Sequence, residues 1–188
     1  MDADIQELDE LIDEILTYAR LEEGGPLLDF QGIDISDIVA QVVNERRPVN
    51  RAIEVRQMPC RNLHGELVSA DQRVDAEPRY LHRAVQNLVG NAVRYASSCV
   101  EVRCVVDIET CRIDVEDDGP GIPEAEWSRV FTPFARLDDS RTRASGGYGL
   151  GLSIVQRIMY WHGGRAIIGH SMLGGAKFSL VWPAKQSR

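Results

Sequence analysis

The chain predicts an α/β (α+β) architecture on three observations. Val100, Val102, Cys104 and Val106 alternate with polar residues, Asp107–Thr110 turns the chain, and Cys111, Ile113 and Val115 alternate back, which describes an antiparallel hairpin. Leu81, Val85, Leu88 and Ala92 recur at helical spacing across Pro78 to Ala96, with Ala84 and Val89 beside them. Near the N-terminus Ile5, Leu8, Ile12, Ile15 and Ala19 follow the three-four spacing of a bundle or coiled-coil helix.

The elements follow in order. Ile5 to Leu21 reads as a helix whose stripe, widened by Leu11, Leu16 and Tyr18, needs a partner helix. Gly24-Gly25-Pro26 ends it. Ser36 is the expected N-cap of a helix to about Arg47, stopped by Pro48. Short strands are expected at Ile53 to Gln57 and at Arg73-Val74. On the helix at Pro78 to Ala96, Asn87, Asn91 and Tyr95 share a second face, with Arg94 beside it. In the hairpin, Arg112, Asp114 and Glu116 are expected to face water, and the same parity puts Asp117 on the buried side at the strand's end. Glu124 to Arg143, with Phe131, Phe134, Arg136, Arg141 and Arg143, reads as a loop or lid. Gly151 to Trp161 reads as a helix. Arg165 to His170 and Lys177 to Trp182 form a last hairpin joined through Leu173-Gly174-Gly175.

Composition narrows the classes. The chain has 188 residues, 44% hydrophobic and 27% charged, as in globular proteins. No apolar run approaches the roughly 18 residues of a membrane span, and the strongly acidic Met1 to Asp13 carries no basic-then-apolar signal. A net charge of −8 argues against a nucleic-acid surface. Cys60, Cys99, Cys104 and Cys111 contain no C-x-x-C pair, so reduced, packing thiols are expected rather than a zinc or redox site.

Three segments carry chemistry. Asn87 and Asn91 present neutral oxygens one helical turn apart; magnesium takes one or two protein oxygens and completes its shell with water and phosphate. An isolated pair of this spacing is ordinarily helix surface. Asp117 in Asp117-Asp118-Gly119-Pro120-Gly121-Ile122 is a carboxylate on a buried face, which is costly without a hydrogen-bond donor. The exocyclic amine of adenine is such a donor, and Gly119 and Gly121 let a ring approach the backbone. Gly147, Gly149 and Gly151 free the backbone ahead of a helix whose N-terminus suits phosphate. No Gly-Lys-Ser/Thr follows them, so they are not a Walker loop.

In this order, the segments resemble the catalytic and ATP-binding domain of bacterial two-component sensor histidine kinases, within the superfamily shared with gyrase, MutL and the ATP-driven heat-shock chaperones. Asn87 to Ala92 resembles the asparagine box and Asp117 to Ile122 the first glycine box. Val130 to Arg136 resembles the phenylalanine box and Gly147 to Leu152 the second glycine box. Asp2 to Glu22 is similar to the second helix of the dimerisation and phosphoacceptor hairpin, and Val115 to Asp138 is most similar to kinases of the RstB kind. The resemblance implies a two-layer sandwich: a mixed, mostly antiparallel sheet covered by three helices on one face, preceded by the bundle helix. It divides the chain into a partial hairpin (1–23), a linker (24–32), an ATP-binding domain (33–184) and a tail (185–188).

The resemblance also assigns roles. Asn91 would bind Mg2+ with Asn87 close by, Arg94 and Tyr95 would line the phosphates and nucleotide, and Asp117 would hold adenine. Gly119, Gly121, Ile122, Phe131, Phe134, Gly147, Gly149, Leu150, Gly151 and Leu152 would contact ATP or its product ADP, and Arg136 would reach the γ-phosphate. It implies transfer of the γ-phosphate to a histidine on an upstream helix and on to a response regulator, a homodimer in the full-length protein, no nucleic-acid partner, and a cytoplasmic domain, expected in an inner-membrane sensor.

Two departures matter. Hydrolytic relatives carry a glutamate where this chain has Asn87, which cannot act as a general base. None of His64, His82, His162 or His170 lies in a phosphoacceptor context. Rival readings are a non-catalytic nucleotide-binding or interaction module, a serine-phosphorylating anti-sigma kinase of the same fold, disfavoured by the N-terminal helix, and a hydrolytic ATPase, disfavoured by Asn87.

Overall fold

The computed structural model describes residues 2–25, 27–45, 53–69, 72–135 and 148–186. Its helices are α1 (Asp2–Glu22), α2 (Ile35–Glu45), α3 (Pro78–Tyr95) and α4 (Gly151–Trp161). Its strands are β1 (Gln31–Ile33), β2 (Glu54–Gln57), β3 (Val74–Ala76), β4 (Cys99–Val106), β5 (Thr110–Asp117), β6 (Arg165–His170) and β7 (Ala176–Pro183). Five strands make one mixed sheet in the order β2-β4-β5-β7-β6; β2 runs parallel to β4 and the other pairs are antiparallel. β1 and β3 pair separately as an antiparallel ribbon.

The register explains the core. Val102 pairs with Val115 and Val115 with Phe178, while Cys104 pairs with Ile113 and Ile113 with Leu180. Because side chains alternate between faces, these rows all fall on one side of the sheet. That side is buried, and α2, α3 and α4 cover it. Helix α3 contributes Leu81, Ala84, Val85, Leu88, Val89 and Ala92, all buried. Each fully buried leucine or valine stabilises by about 1.5–3 kcal/mol relative to exposure. Glu77 caps α3, its Oε2 accepting from the Tyr80 N–H at 2.8 Å, and Pro78 follows in the first turn, where its missing N–H costs nothing.

Three local expectations are corrected. Ser36 is not the N-cap of α2; it lies in the first turn, and Asp34 Oδ1 accepts from the Ser36 N–H at 2.8 Å. The third strand begins at Val74 rather than Arg73. Asp114 and Glu116 do not face water. They lie on the sheet face away from the helices but are buried there by long and polar neighbours. Ser179 Oγ donates to Asp114 Oδ1 at 2.6 Å, Ser171 Oγ donates to Glu116 Oε2 at 3.1 Å, and Lys177 Nζ lies 3.2 Å from Asp114 and 3.7 Å from Glu116. A buried carboxylate is tolerated when it is paired in this way.

Helix α1 docks by its C-terminal half. Leu21 is fully buried, the Trp161 indole donates to the Leu21 carbonyl at 3.0 Å, and Glu22 pairs with Arg157. Farther up, Asp13 meets Arg83 of α3 at 2.7 Å. Ile5, Leu8, Ile12, Ile15 and Leu16 are exposed, so the expected apolar seam faces outward.

Candidate functional site

Strand β5 delivers Asp117 to the end of the sheet, 4% exposed. Two backbone donors converge on one of its oxygens: the N–H groups of Gly119 at 2.9 Å and Ala176 at 3.2 Å both reach Oδ1. Among the described residues, Oδ2 has no donor. Burial raises the Asp117 pKa above the ordinary carboxylate value, and the two N–H bonds oppose that rise. The carboxylate is therefore oriented but incompletely solvated, the state in which an added donor has most effect.

Two glycines keep this carboxylate reachable. A β-carbon on Gly175 would overlap Asp117 Oδ1 and Gly119 N, and one on Gly119 would overlap the Tyr95 carbonyl. Gly175 belongs to the turn between β6 and β7, and its N–H donates to the Asp117 carbonyl at 3.1 Å. In the sequence Gly175 stands only as part of a hairpin turn, and the pair Gly174-Gly175 directly before a strand is the signal that marks it. Asp118 points elsewhere. It accepts from the Ser98 hydroxyl and from the N–H groups of Ser97, Ser98 and Cys99, which holds its pKa well below the usual range and fastens the loop between α3 and β4.

The asparagines lie on α3, both half-buried. Asn87 Nδ2 donates to the Gly151 carbonyl at 3.1 Å, and a β-carbon on Gly151 would stand 3.7 Å from the Asn87 side chain. With its amide nitrogen so used, Asn87 has Oδ1 left to offer. No cluster of three or more His, Cys, Asp or Glu side chains able to hold a metal exists among the described residues. A hard cation here would take amide and phosphate oxygens, a donor set that suits magnesium. Arg94 and Tyr95, at the exposed end of α3, are open to solvent.

The phenylalanine and second glycine segments meet through their backbones. Phe134 N–H donates to the Gly149 carbonyl at 2.9 Å. Gly149 has φ +78, and a β-carbon on it would stand 2.9 Å from Phe134. Phe134 itself has φ 61, a left-handed conformation rare for a bulky residue, and its ring is exposed. Phe131 is buried edge-on against Phe178, ring centroids 6.2 Å apart. Leu150 is fully buried, Leu152 packs on the core, and Ile122 holds the Trp127 indole N–H through its carbonyl at 2.9 Å. Gly121 has φ +71, where glycine has no steric cost. Arg136 and Gly147 lie outside the described residues. A cleft of about 440 Å3 lies between α1, α4 and residues 131–133; of the expected nucleotide residues it includes Phe131 alone.

The chain is similar to the sensor protein RstB of Escherichia coli (strain K12), 35% identical over 97% of this chain and 40% of that protein. It is also similar to the sensor histidine kinase CpxA of the same strain, 32% identical over 97% of this chain and 38% of that protein. It thus spans about two fifths of the length of these relatives. Among solved structures, full-length ShkA in complex with AMPPNP superposes with a TM-score of 0.78 at 27% identity, covering 96% of this chain and 37% of that one. The profile of the family described as histidine kinase-, DNA gyrase B-, and HSP90-like ATPase matches residues 76–186, the stretch that holds both asparagines, Asp117 and the glycine turns. By that match the chain belongs to the histidine kinase-, DNA gyrase B- and HSP90-like ATPase family.

Proposed function

We propose that the chain is the ATP-binding kinase module of a two-component sensor histidine kinase, passing the ATP γ-phosphate to a histidine outside this segment. The observation that carries this reading is the buried Asp117 carboxylate, held by two backbone N–H groups on Oδ1 and kept open by Gly119 and Gly175. An ionised carboxylate accepts the exocyclic amine of adenine and repels the carbonyl that guanine carries there.

In this reading Asn91, with Asn87 beside it, holds Mg2+, which when bound neutralises phosphate charge. Arg94 and Tyr95 line the nucleotide. Gly147, Gly149 and Gly151 leave backbone N–H groups at the start of α4 for the phosphates. Ile122, Phe131, Phe134, Leu150 and Leu152 enclose the nucleotide, and Arg136 reaches the γ-phosphate, where fixed positive charge favours transfer. Asn87 holds no proton-accepting carboxylate, which favours transfer to a protein group over hydrolysis. Asp2–Glu22 serves as the second helix of the phosphoacceptor hairpin, residues 33–184 as the catalytic domain, and a receiver-domain aspartate as the final acceptor. Similarity to sensor proteins supports a homodimer and a cytoplasmic position in a membrane-attached protein. No helix among the described residues is long and apolar enough to cross a membrane.

Calorimetric titration of the chain with ADP, with and without magnesium, tests the reading. Magnesium-dependent binding is expected, abolished in Asp117→Asn. Failure of the wild-type chain to bind would reduce the assignment to likeness of fold.

A further inference from the structure

Two cysteines far apart in sequence become cross-strand neighbours. Beyond β2 the chain continues along the edge of β4: the Arg61 N–H donates to the Cys104 carbonyl at 3.1 Å, and the Val106 N–H donates to the Arg61 carbonyl at 2.9 Å. Arg61 therefore pairs in parallel with Val105, which sets Cys60 directly across from Cys104. Opposed residues on neighbouring strands stand about 4.8 Å apart with side chains on one face. That separation lies within the roughly 4.4–6.8 Å that a disulfide spans between α-carbons.

The two thiols are close enough to shift each other's ionisation, and both are unoxidised. Their environments differ. Cys104 is 1% exposed, whereas Cys60 is half-buried at the rim, beside Ser36 in the first turn of α2. A helix N-terminus and neighbouring donors favour thiolate over thiol. The neighbouring Cys104 thiol lowers the Cys60 pKa against an opposing rise from burial, with a smaller lowering from Ser36, while the same contact and burial raise that of Cys104. Asp34 opposes thiolate formation at both sulfurs. Cys60 is the more accessible member, and Cys104 is fixed behind it.

We infer that Cys60 and Cys104 are a reversible thiol–disulfide pair responsive to hydroperoxides, with Cys60 attacking and Cys104 resolving. The Cys60 thiolate attacks a peroxide oxygen; the S–O bond forms, the O–O bond breaks, and the departing hydroxide takes a proton to become water. Cys104 Sγ then attacks Cys60 Sγ; the S–S bond forms, the S–O bond breaks, and the Cys104 proton leaves with the hydroxide as a second water. Two thiols lose two electrons and one hydrogen peroxide becomes two waters. A dithiol reverses the reaction. The product staples the 58–61 edge segment to β4.

The experiment oxidises the folded chain with a small excess of hydrogen peroxide, blocks remaining thiols in denaturant, and maps peptides by mass spectrometry with and without dithiothreitol. The expected result is a Cys60–Cys104 peptide two hydrogens lighter than its parts, a fall from the four free thiols to two, and recovery of four after reduction. Cys60→Ser is expected to give no linked peptide and to leave Cys104 a thiol. Survival of all four thiols would overturn the inference. So would advance of Cys60 to sulfinic acid with Cys104 still free, or linkage through Cys99 between molecules.

Discussion

The Asn87 side-chain amide donates to the Gly151 carbonyl at 3.1 Å, joining the middle of α3 to the first turn of α4 across 64 residues of sequence. The contact sets the spacing between the two segments that the proposed site uses for metal and phosphate. Asn87→Ala is expected to cost about 1 kcal/mol of stability, the usual net worth of one hydrogen bond. ADP affinity should fall about tenfold or more, near 1.4 kcal/mol. Asn87→Asp keeps an oxygen but loses the donor, so it should lose stability like the alanine variant while retaining part of the magnesium dependence. Denaturant unfolding and calorimetry read the two effects separately.

Asp117→Asn should separate binding from stability. The asparagine oxygen still accepts from Gly119 and Ala176, and burial no longer opposes a charge. Because the native pKa is raised, stability falls as pH rises from the ordinary value of 3.8 through the native value, above which the ionised group opposes folding in full. The variant should therefore melt at the same temperature or higher at neutral pH while binding ADP at least about 100-fold more weakly, about 2.7 kcal/mol. A large drop in melting temperature would contradict this account.

Gly175→Ala places a β-carbon on the Asp117 carboxylate. Overpacking of this kind ordinarily costs about 1–3 kcal/mol. ADP affinity should fall with stability, because the displaced group is the proposed adenine contact. Gly174→Ala is a weaker control for binding: no atom lies within 4 Å of its added carbon, although its φ of +106 makes the substitution strained.

His162 makes stability pH-dependent. The ring is fully buried; Nε2 accepts from the Glu77 N–H at 3.1 Å, and Nδ1 lies 2.8 Å from the Ile158 carbonyl, to which it donates in the tautomer this pairing requires. Burial depresses its pKa below the ordinary value of 6.5. Below pH 6.5 the unfolded chain takes up a proton that the native ring refuses, so stability is complete above that pH and declines as pH falls toward the native pKa. Thermal melts from pH 8 to pH 5 should show the decline, and His162→Gln should flatten it while lowering stability at pH 8. An identical slope in the variant would assign the effect to other groups.

Long periodic elements were legible in the sequence. Helices α3 and α4 and the hairpins β4–β5 and β6–β7 stand where alternation and helical spacing put them, because each carries enough apolar residues to define a face. Strand β1, three residues long with one buried side chain, offers no period to read. Asp34 rather than Ser36 caps α2, a choice between two capping residues either side of Ile35 that spacing does not decide. Asp114 and Glu116 are buried because Lys177, Ser179 and Ser171 come from 55 to 65 residues away to cover them. Separation in sequence also hid Gly175 behind Asp117 and Cys104 behind Cys60. Asp117 was legible through parity, since a strand that buries Val115 also buries the residue two positions later.

The donors that orient the Asp117 carboxylate are main-chain N–H groups, and the gaps around it are glycines. No neighbouring side chain is needed to aim it, so most surrounding positions are free to vary without retuning recognition. Sensitivity to substitution concentrates instead where a single methyl group would intrude. The proposed base preference is thus written into the course of the chain, and a scan of substitutions across this region should show a few intolerant glycines and one acid within a permissive surround.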